Sequence, residues 1–182
     1  TIQAVESKVM GFKQPPLRIM PGSQRSAFFD FDPANNDLYI GGPGEFMYEW
    51  INFVPGGNAG GLNFGWPIIE GNQCWELSPL PCETTGIEFP IIERPSYQDG
   101  NCVIIGGVVH RGPGAAAAQG AYFYSDYCSG RIWAAGRDTS GAWQTREMLD
   151  TAMLTTSFGK DEQGESYVTD GNGGIVYRIV VR

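Results

Sequence analysis

Short runs of alternating apolar and polar residues fill most of this chain, and each run stops at a cluster of Gly, Asn, Asp or Ser. That is the period of half-buried β-strands bounded by turns. The alternation predicts strands at 26–32, 37–41, 47–54, 103–111, 121–125, 131–136, 143–149, 155–159, 166–169 and 174–181. The intervening NND (35–37), CSG (128–130) and GNGG (171–174) supply residues that tolerate the positive φ a hairpin demands. Residues 55–101 break the rhythm as a long Gly/Pro-rich excursion, and a loop of that length inside a domain is usually functional or tied by a disulfide.

The strand pattern also repeats. FYSDYCSGRIWAAG (123–136) lies without a gap over YVTDGNGGIVYRIV (167–180), 44 residues later, placing Asp126 on Asp170, Gly130 on Gly174 and Trp133 on Tyr177. DLYIGG (37–42) lies over ESYVTD (165–170), Tyr39 on Tyr167, at about three such periods. FFDFDPANND and SFGKDEQGE each give a strand, an acidic turn and the start of the next strand. Several short strands per unit at this period are the mark of propeller blades. The expected fold is all-β, with residues 1–182 forming a partial β-propeller of about three blades. Closed propellers have roughly four to eight blades, so either a longer protein supplies the remaining blades or another copy of the chain closes the ring. Open blades would expose sheet faces and strand edges.

Composition agrees with this class. The 182 residues are 42% apolar and 13% aromatic, with 26 Gly and 12 Pro, which favours turns and sheets over helical bundles. Twenty acids against 12 Lys and Arg give a net charge of −8, with no basic stripe, and this argues against nucleic acid as a partner. No run approaches the roughly 18 to 20 apolar residues of a membrane-spanning helix. The chain opens at Thr1 with no charged-then-apolar leader, which reads as a processed product. Cys74, Cys82, Cys102 and Cys128 lack the tight pairs of a zinc site. Of three connectivities, Cys74 with Cys82 closes a short Pro-containing loop and Cys102 with Cys128 ties neighbouring strands; four buried thiols are the alternative. No GxSxG elbow, P-loop or dinucleotide fingerprint is present. DFDPANND (30–37) lacks the spacing and terminal Glu of an EF-hand and reads as a hairpin turn, and AAAA (115–118) is too short to hold a helix by itself.

Four stretches together, GGNAGGLNFGWPIIEGNQCW (56–75), GGVVHRGP (106–113), GAYFYSDYCSGRIWA (120–134) and SFGKDEQGESYVTDGNGGIVYRI (157–179), resemble the glucose/sorbosone dehydrogenase family. These are soluble quinoprotein sugar dehydrogenases and their relatives, built as six-bladed β-propellers. The resemblance runs in order from about Gly11 to Arg182 and corresponds to the C-terminal half of a family member. It implies hydride transfer from the C1 hydroxyl of an aldose or oligosaccharide to pyrroloquinoline quinone (PQQ), with Ca²⁺ polarising the quinone and a His as general base. It also implies a secreted or periplasmic location.

Position by position, the resemblance places Ca²⁺ on the backbone carbonyls of Gly42, Pro43 and Phe64, oxygen donors that suit a hard cation. From the residues alone, Gly42–Pro43 reads equally as a turn, and Trp66 as a ring packed under the loop. Quinone contacts fall on Lys13 and Gln14, where the family has Arg-Asn, on Arg111, and on Arg131 near the turn in which the closest enzymes carry a basic pair and this chain has Cys128-Ser129. PQQ carries three carboxylates, so the missing cations weaken its hold. His110 stands where relatives have Tyr, and the family's catalytic His lies upstream of residue 1. No catalytic residue is therefore assigned to this chain, which alone should not turn over sugar. The second reading is a non-catalytic propeller module that binds carbohydrate or a protein partner.

Overall fold

A computed structural model describes residues 28–181. Thirteen strands follow one another: β1 (Phe28–Phe31), β2 (Leu38–Gly42), β3 (Tyr48–Val54), β4 (Ile69–Glu70), β5 (Gln73–Cys74), β6 (Ile92–Pro95), β7 (Ile104–Val109), β8 (Tyr122–Asp126), β9 (Ile132–Arg137), β10 (Trp143–Leu149), β11 (Thr155–Lys160), β12 (Ser166–Asp170) and β13 (Ile175–Arg178). They form two four-stranded antiparallel sheets, β1-β2-β3-β6 and β7-β8-β9-β10, a three-stranded sheet β11-β12-β13 and the small hairpin β4-β5. The alternation located ten of these strands. It missed β4, β5 and β6, all inside the 55–101 excursion. β6 completes the first sheet as an edge strand ending in Pro95, a residue that cannot donate to a further ladder. A 3-10 segment at Pro113–Ala118 takes up the Ala run, split by the non-helical Ala115.

The three large sheets stand side by side with the second in the middle. Strand alternation sends Tyr122 and Tyr124 of β8 towards the first sheet and Phe123 towards the third. Tyr39, Ile51, Ile104, Tyr122, Tyr124 and Trp133 share one core, with Tyr39 and Tyr122 stacked 4.5 Å apart. Phe123, Ile132, Val168 and Ile179 share the other. A strand covered on both faces is buried throughout, and all five residues of β8 are buried, the polar Ser125 and Asp126 included.

The first strand of each sheet is the one nearest its neighbours, since both β1 and β11 lie against β7. Gly106 of GGVV makes the approach of β1 possible, and Gly107 serves the pairing of β7 with β8 inside the second sheet. A Cβ on Gly106 would meet Phe28 Cβ at 2.6 Å, and one on Gly107 would meet the Phe123 carbonyl at 1.5 Å. The bulge between Ile105 and Val108 frees the Gly107 N–H, which donates to Tyr122 Oη at 2.8 Å. Polar bridges join the inner strands. Lys160 of β11 reaches over to Asp30 of β1 at 2.8 Å, and the Val109 N–H donates to the same Asp30 oxygen. This radial order, with inner strands side by side and hairpins running outwards, is the blade arrangement read from the repeat.

Candidate functional site

Antiparallel hairpins sort the connections onto two ends of the sheets. The turns at 43–47, 127–131 and 171–174 lie at one end, and those at 32–37, 110–121 and 161–165 at the other. Gly42–Pro43 belongs to the first end, where β2 stops. The corner is tight. A side chain on Gly42 would meet Trp50 Nε1 at 2.9 Å, and one on Gly44 would meet the Tyr48 carbonyl at 1.8 Å.

Two buried carboxylates hold this corner. Glu70, at the end of β4 and 2% exposed, accepts the Phe46 and Met47 N–H groups on Oε1 at 2.8 and 3.2 Å. Its Oε2 is buried and has no hydrogen-bond partner among the described residues. Glu49 of β3 accepts Gly44 N–H at 3.3 Å and Ser96 Oγ at 2.9 Å on one oxygen, and Ile104 N–H at 3.0 Å on the other. Burial pushes the Glu49 carboxyl up, against the pull of those three donors. A third acid, Glu93 of β6, accepts the Asn72 N–H. Neither Glu49 nor Glu70 was singled out in the sequence. The usable signal was a lone acid inside an apolar run, in YEWINFV and in PIIEG.

Phe64 packs on Leu38, Ile40 and Val54 at the face of the first sheet turned away from the second. It shares Trp50 with Gly42: Trp50 flanks Gly42 by its Nε1 edge and lines a pocket with Phe64. Trp50 thus touches both Gly42 and the Phe64 pocket, while the Phe64 ring packs on Leu38 and Val54 at the other end of β2 from Gly42. The Glu70 oxygen close to Gly44 is Oε1, the one that accepts Phe46 and Met47, and its partner Oε2 is the unpaired atom; a carboxylate oxygen of this kind is a donor that suits a hard cation such as Ca²⁺.

Arg111 is not part of the Gly42 corner. It follows β7 at the opposite end, separated from Gly42 by the length of β2, about 13 Å at the usual rise per residue. Its guanidinium fork grips the buried Asp32, with Nε on Oδ1 at 2.9 Å and Nη2 on Oδ2. Burial alone would raise the Asp32 carboxyl; the Arg111 hydrogen bonds and the Ala34 N–H outweigh it and hold that carboxyl below its usual range. Next to it, His110 is fully buried and bonded on both nitrogens. Because Gly112 offers only a carbonyl, Nε2 donates to it at 2.9 Å, and Nδ1 pairs with Ser166 Oγ at 3.0 Å.

Arg131 shares the Gly42–Pro43 end but stands on the second sheet, within 3.6 Å of Asp150 and 3.9 Å of Glu147. Both are exposed partners, so these pairs restrain it weakly. Lys13 and Gln14 lie outside the described residues. The two expected disulfides are present, Cys74–Cys82 and Cys102–Cys128, with Cα atoms 5.7 and 5.6 Å apart. Beside the second, Asp126 accepts the Cys102 and Val103 N–H groups on one oxygen and those of Cys128 and Ser129 on the other, all at 2.8 to 2.9 Å. Among the described residues no helix is long and apolar enough to cross a membrane.

No protein-family model matches the chain. Solved structures do. A glucose dehydrogenase aligns with a TM-score of 0.64 at 15% identity, over 88% of this chain and 46% of that one. Another glucose dehydrogenase structure gives 0.61 at 15% identity, over 85% and 43%. The PQQ-bound form of an aldose sugar dehydrogenase from Streptomyces coelicolor gives 0.52 at 15% identity, over 84% and 41%. This chain therefore spans less than half the length of the proteins it matches, and over that span it has their fold, as about three blades of a β-propeller.

Proposed function

We propose that this chain supplies the C-terminal blades of a secreted or periplasmic, quinoprotein-type sugar dehydrogenase. The remaining blades of its six-bladed ring come from a longer protein or from another copy of the chain. The observation that carries this reading is the Gly42–Pro43 corner, where the buried Glu70 carboxylate has an oxygen to spare. In this reading the carbonyls of Gly42, Pro43 and Phe64 hold Ca²⁺, with Glu70 as the charged partner. PQQ, when bound, supplies the acceptor for the hydride leaving C1 of an aldose. Lys13, Gln14 and Arg131 bind its carboxylates. Arg111, committed to Asp32 at the far end, stays out of that set. The base that takes the sugar hydroxyl proton comes from outside these 182 residues, so the chain alone does not turn over sugar.

A second reading, a non-catalytic module that binds carbohydrate or a protein, is favoured by one feature. Where a basic pair is expected, Cys128 is locked in a disulfide and the Cys128 and Ser129 N–H groups are committed to Asp126.

Calorimetric titration with Ca²⁺, followed by PQQ with its absorbance recorded, separates the two. The dehydrogenase reading expects Ca²⁺ binding that Glu70→Gln weakens at least about tenfold, the loss of one charged ligand, and a PQQ spectral change that depends on Ca²⁺. Absence of both, with no dye reduction on glucose even when the full ring is present, would discard it.

A further inference from the structure

The turn from β12 to β13 reads Gly171-Asn172-Gly173-Gly174, and Asn172 is the one asparagine of the 182-residue sequence that a glycine follows. All four residues are exposed. Gly171 N–H donates to the Leu154 carbonyl at 2.8 Å, Asn172 N–H to Asp170 Oδ1 at 3.0 Å and Gly174 N–H to the Asp170 carbonyl at 2.9 Å. Among the described residues nothing pairs with the remaining donor, the Gly173 N–H, or with the Asn172 side-chain amide. Asp170 Oδ2 accepts no hydrogen bond from them either, and it stands beside Gly173, 2.6 Å from where a Cβ on that residue would lie.

An asparagine amide carbon is open to attack by the backbone nitrogen of the next residue, and the obstacles are a side chain on that residue, a committed N–H and exclusion of water. Gly173 removes the first, since it has no Cβ and wide backbone freedom. The unpaired N–H and the exposure remove the other two. Elsewhere an obstacle stands. Asn35 precedes Asn36, and its Nδ2 donates to Asp37 Oδ2 at 2.7 Å, while Asn101 precedes Cys102 and buries its Oδ1.

We propose that Asn172 is a self-modification site, at which the chain converts its own amide into a carboxylate. The Gly173 nitrogen loses its proton, with Asp170 Oδ2 at hand to receive it, and bonds to Asn172 Cγ; Nδ2 departs as ammonia and leaves a five-membered succinimide. Water then breaks one of the two C–N bonds of that ring. Cleavage at Cγ gives aspartate, and cleavage at the main-chain carbonyl gives a β-aspartyl linkage that runs the backbone through the former side chain. Water is the co-reactant, and nothing is oxidised or reduced. Either product sets a second negative charge close to Asp170 in a tight turn, where like charges repel, and the β-aspartyl form also lengthens the turn by one backbone atom. The site needs neither metal nor quinone.

Peptide mass mapping of the 182-residue chain, incubated at mildly alkaline pH and body temperature, tests this. The peptide carrying Asn172 should gain about one mass unit, the exchange of an amide for a carboxyl group, before any other asparagine does, and isoaspartyl methyltransferase should label it. Labelling without the mass gain marks an isomerised aspartate instead and overturns the proposal. Asn172→Gln, whose longer side chain would have to close a six-membered ring, should slow the gain at least about tenfold. The folded chain should react within about tenfold of the rate of the chain unfolded in guanidinium, because the turn leaves the reacting atoms open. A folded rate slower than that, a first mass gain at another asparagine, or an equal rate in Asn172→Gln contradicts the proposal. Failure of Ca²⁺ or PQQ to bind leaves it untouched.

Discussion

In the β8–β9 hairpin, Asp126 caps the turn by accepting the Cys128 and Ser129 N–H groups, and Gly130 closes it at φ +67°. In the β12–β13 hairpin, 44 residues on, Asp170 accepts the Asn172 N–H at 3.0 Å and Gly174 closes the turn at φ +63°. The local chemistry is the same, yet the packing differs. Trp133 is 3% exposed, with the Arg94 guanidinium 3.9 Å above its ring, while its counterpart Tyr177 is 41% exposed. Arg94 comes from the first sheet and also donates to Tyr124 Oη at 3.1 Å. Tyr177 is paired with Val168 and so lies on the face turned to the second sheet, yet among the described residues no guanidinium sits over its ring as Arg94 does over Trp133, and the third sheet has no fourth strand. Turn residues are thus written into each repeat, whereas burial is set by which side chains the neighbouring sheet lays over the position.

The contrast can be broken most forcefully at the aromatic pair. Trp133→Ala should cost about 3–5 kcal/mol, the usual range for a large buried aromatic, while Tyr177→Ala should cost under about 1 kcal/mol. Chemical denaturation of both variants checks this, and equal losses would mean that the third sheet is covered as fully as the second. Next comes the covalent tie that only the second sheet possesses. Replacing Cys102 and Cys128 by Ser should lower stability by about 2–4 kcal/mol, and the native unreduced protein should resist thiol labelling at both positions.

A smaller effect separates the two turn acids. Asp126 accepts four backbone N–H groups and Asp170 two, those of Leu154 and Asn172. Asp126→Ala should therefore cost about 2–3 kcal/mol and Asp170→Ala about 1 kcal/mol. Comparable values would remove the distinction between the two repeats. The mildest effect is electrostatic and lies between the first two sheets. Because the folded Asp32 carboxyl sits below its usual value, its pairing with Arg111 stabilises the fold fully above the ordinary carboxylate range. That contribution is lost as pH falls through the lowered value. Denaturation midpoints measured against pH should show an acid limb that flattens in Asp32→Asn.

What was legible in the sequence was local. Asp126, Gly130, Asp170 and Gly174 announce their hairpins because an Asx turn and a positive φ are properties of neighbouring residues. Both cysteine pairs followed from short spacing and expected strand adjacency. β6 was hidden because an edge strand with one buried residue, Ile92, and a terminal Pro shows no alternation. Glu70 was hidden because its partners, Phe46 and Met47, lie more than 20 residues away. Arg111 was read as a ligand contact for the same reason, since Asp32 stands 79 residues upstream and nothing local announces it. Longitudinal position mattered as well. Alternation says which face a residue takes, whereas the sheet topology says which end its loop occupies, and that divides Arg111 from Gly42.

Nuclear Overhauser contacts from the three β8 aromatics test the arrangement most directly. With the second sheet between the other two, Tyr122 should show contacts to Tyr39 of the first sheet, and Phe123, the next residue, to Val168 of the third. Finding Phe123 against first-sheet residues, or neither set of contacts, would contradict three sheets standing in order around an axis.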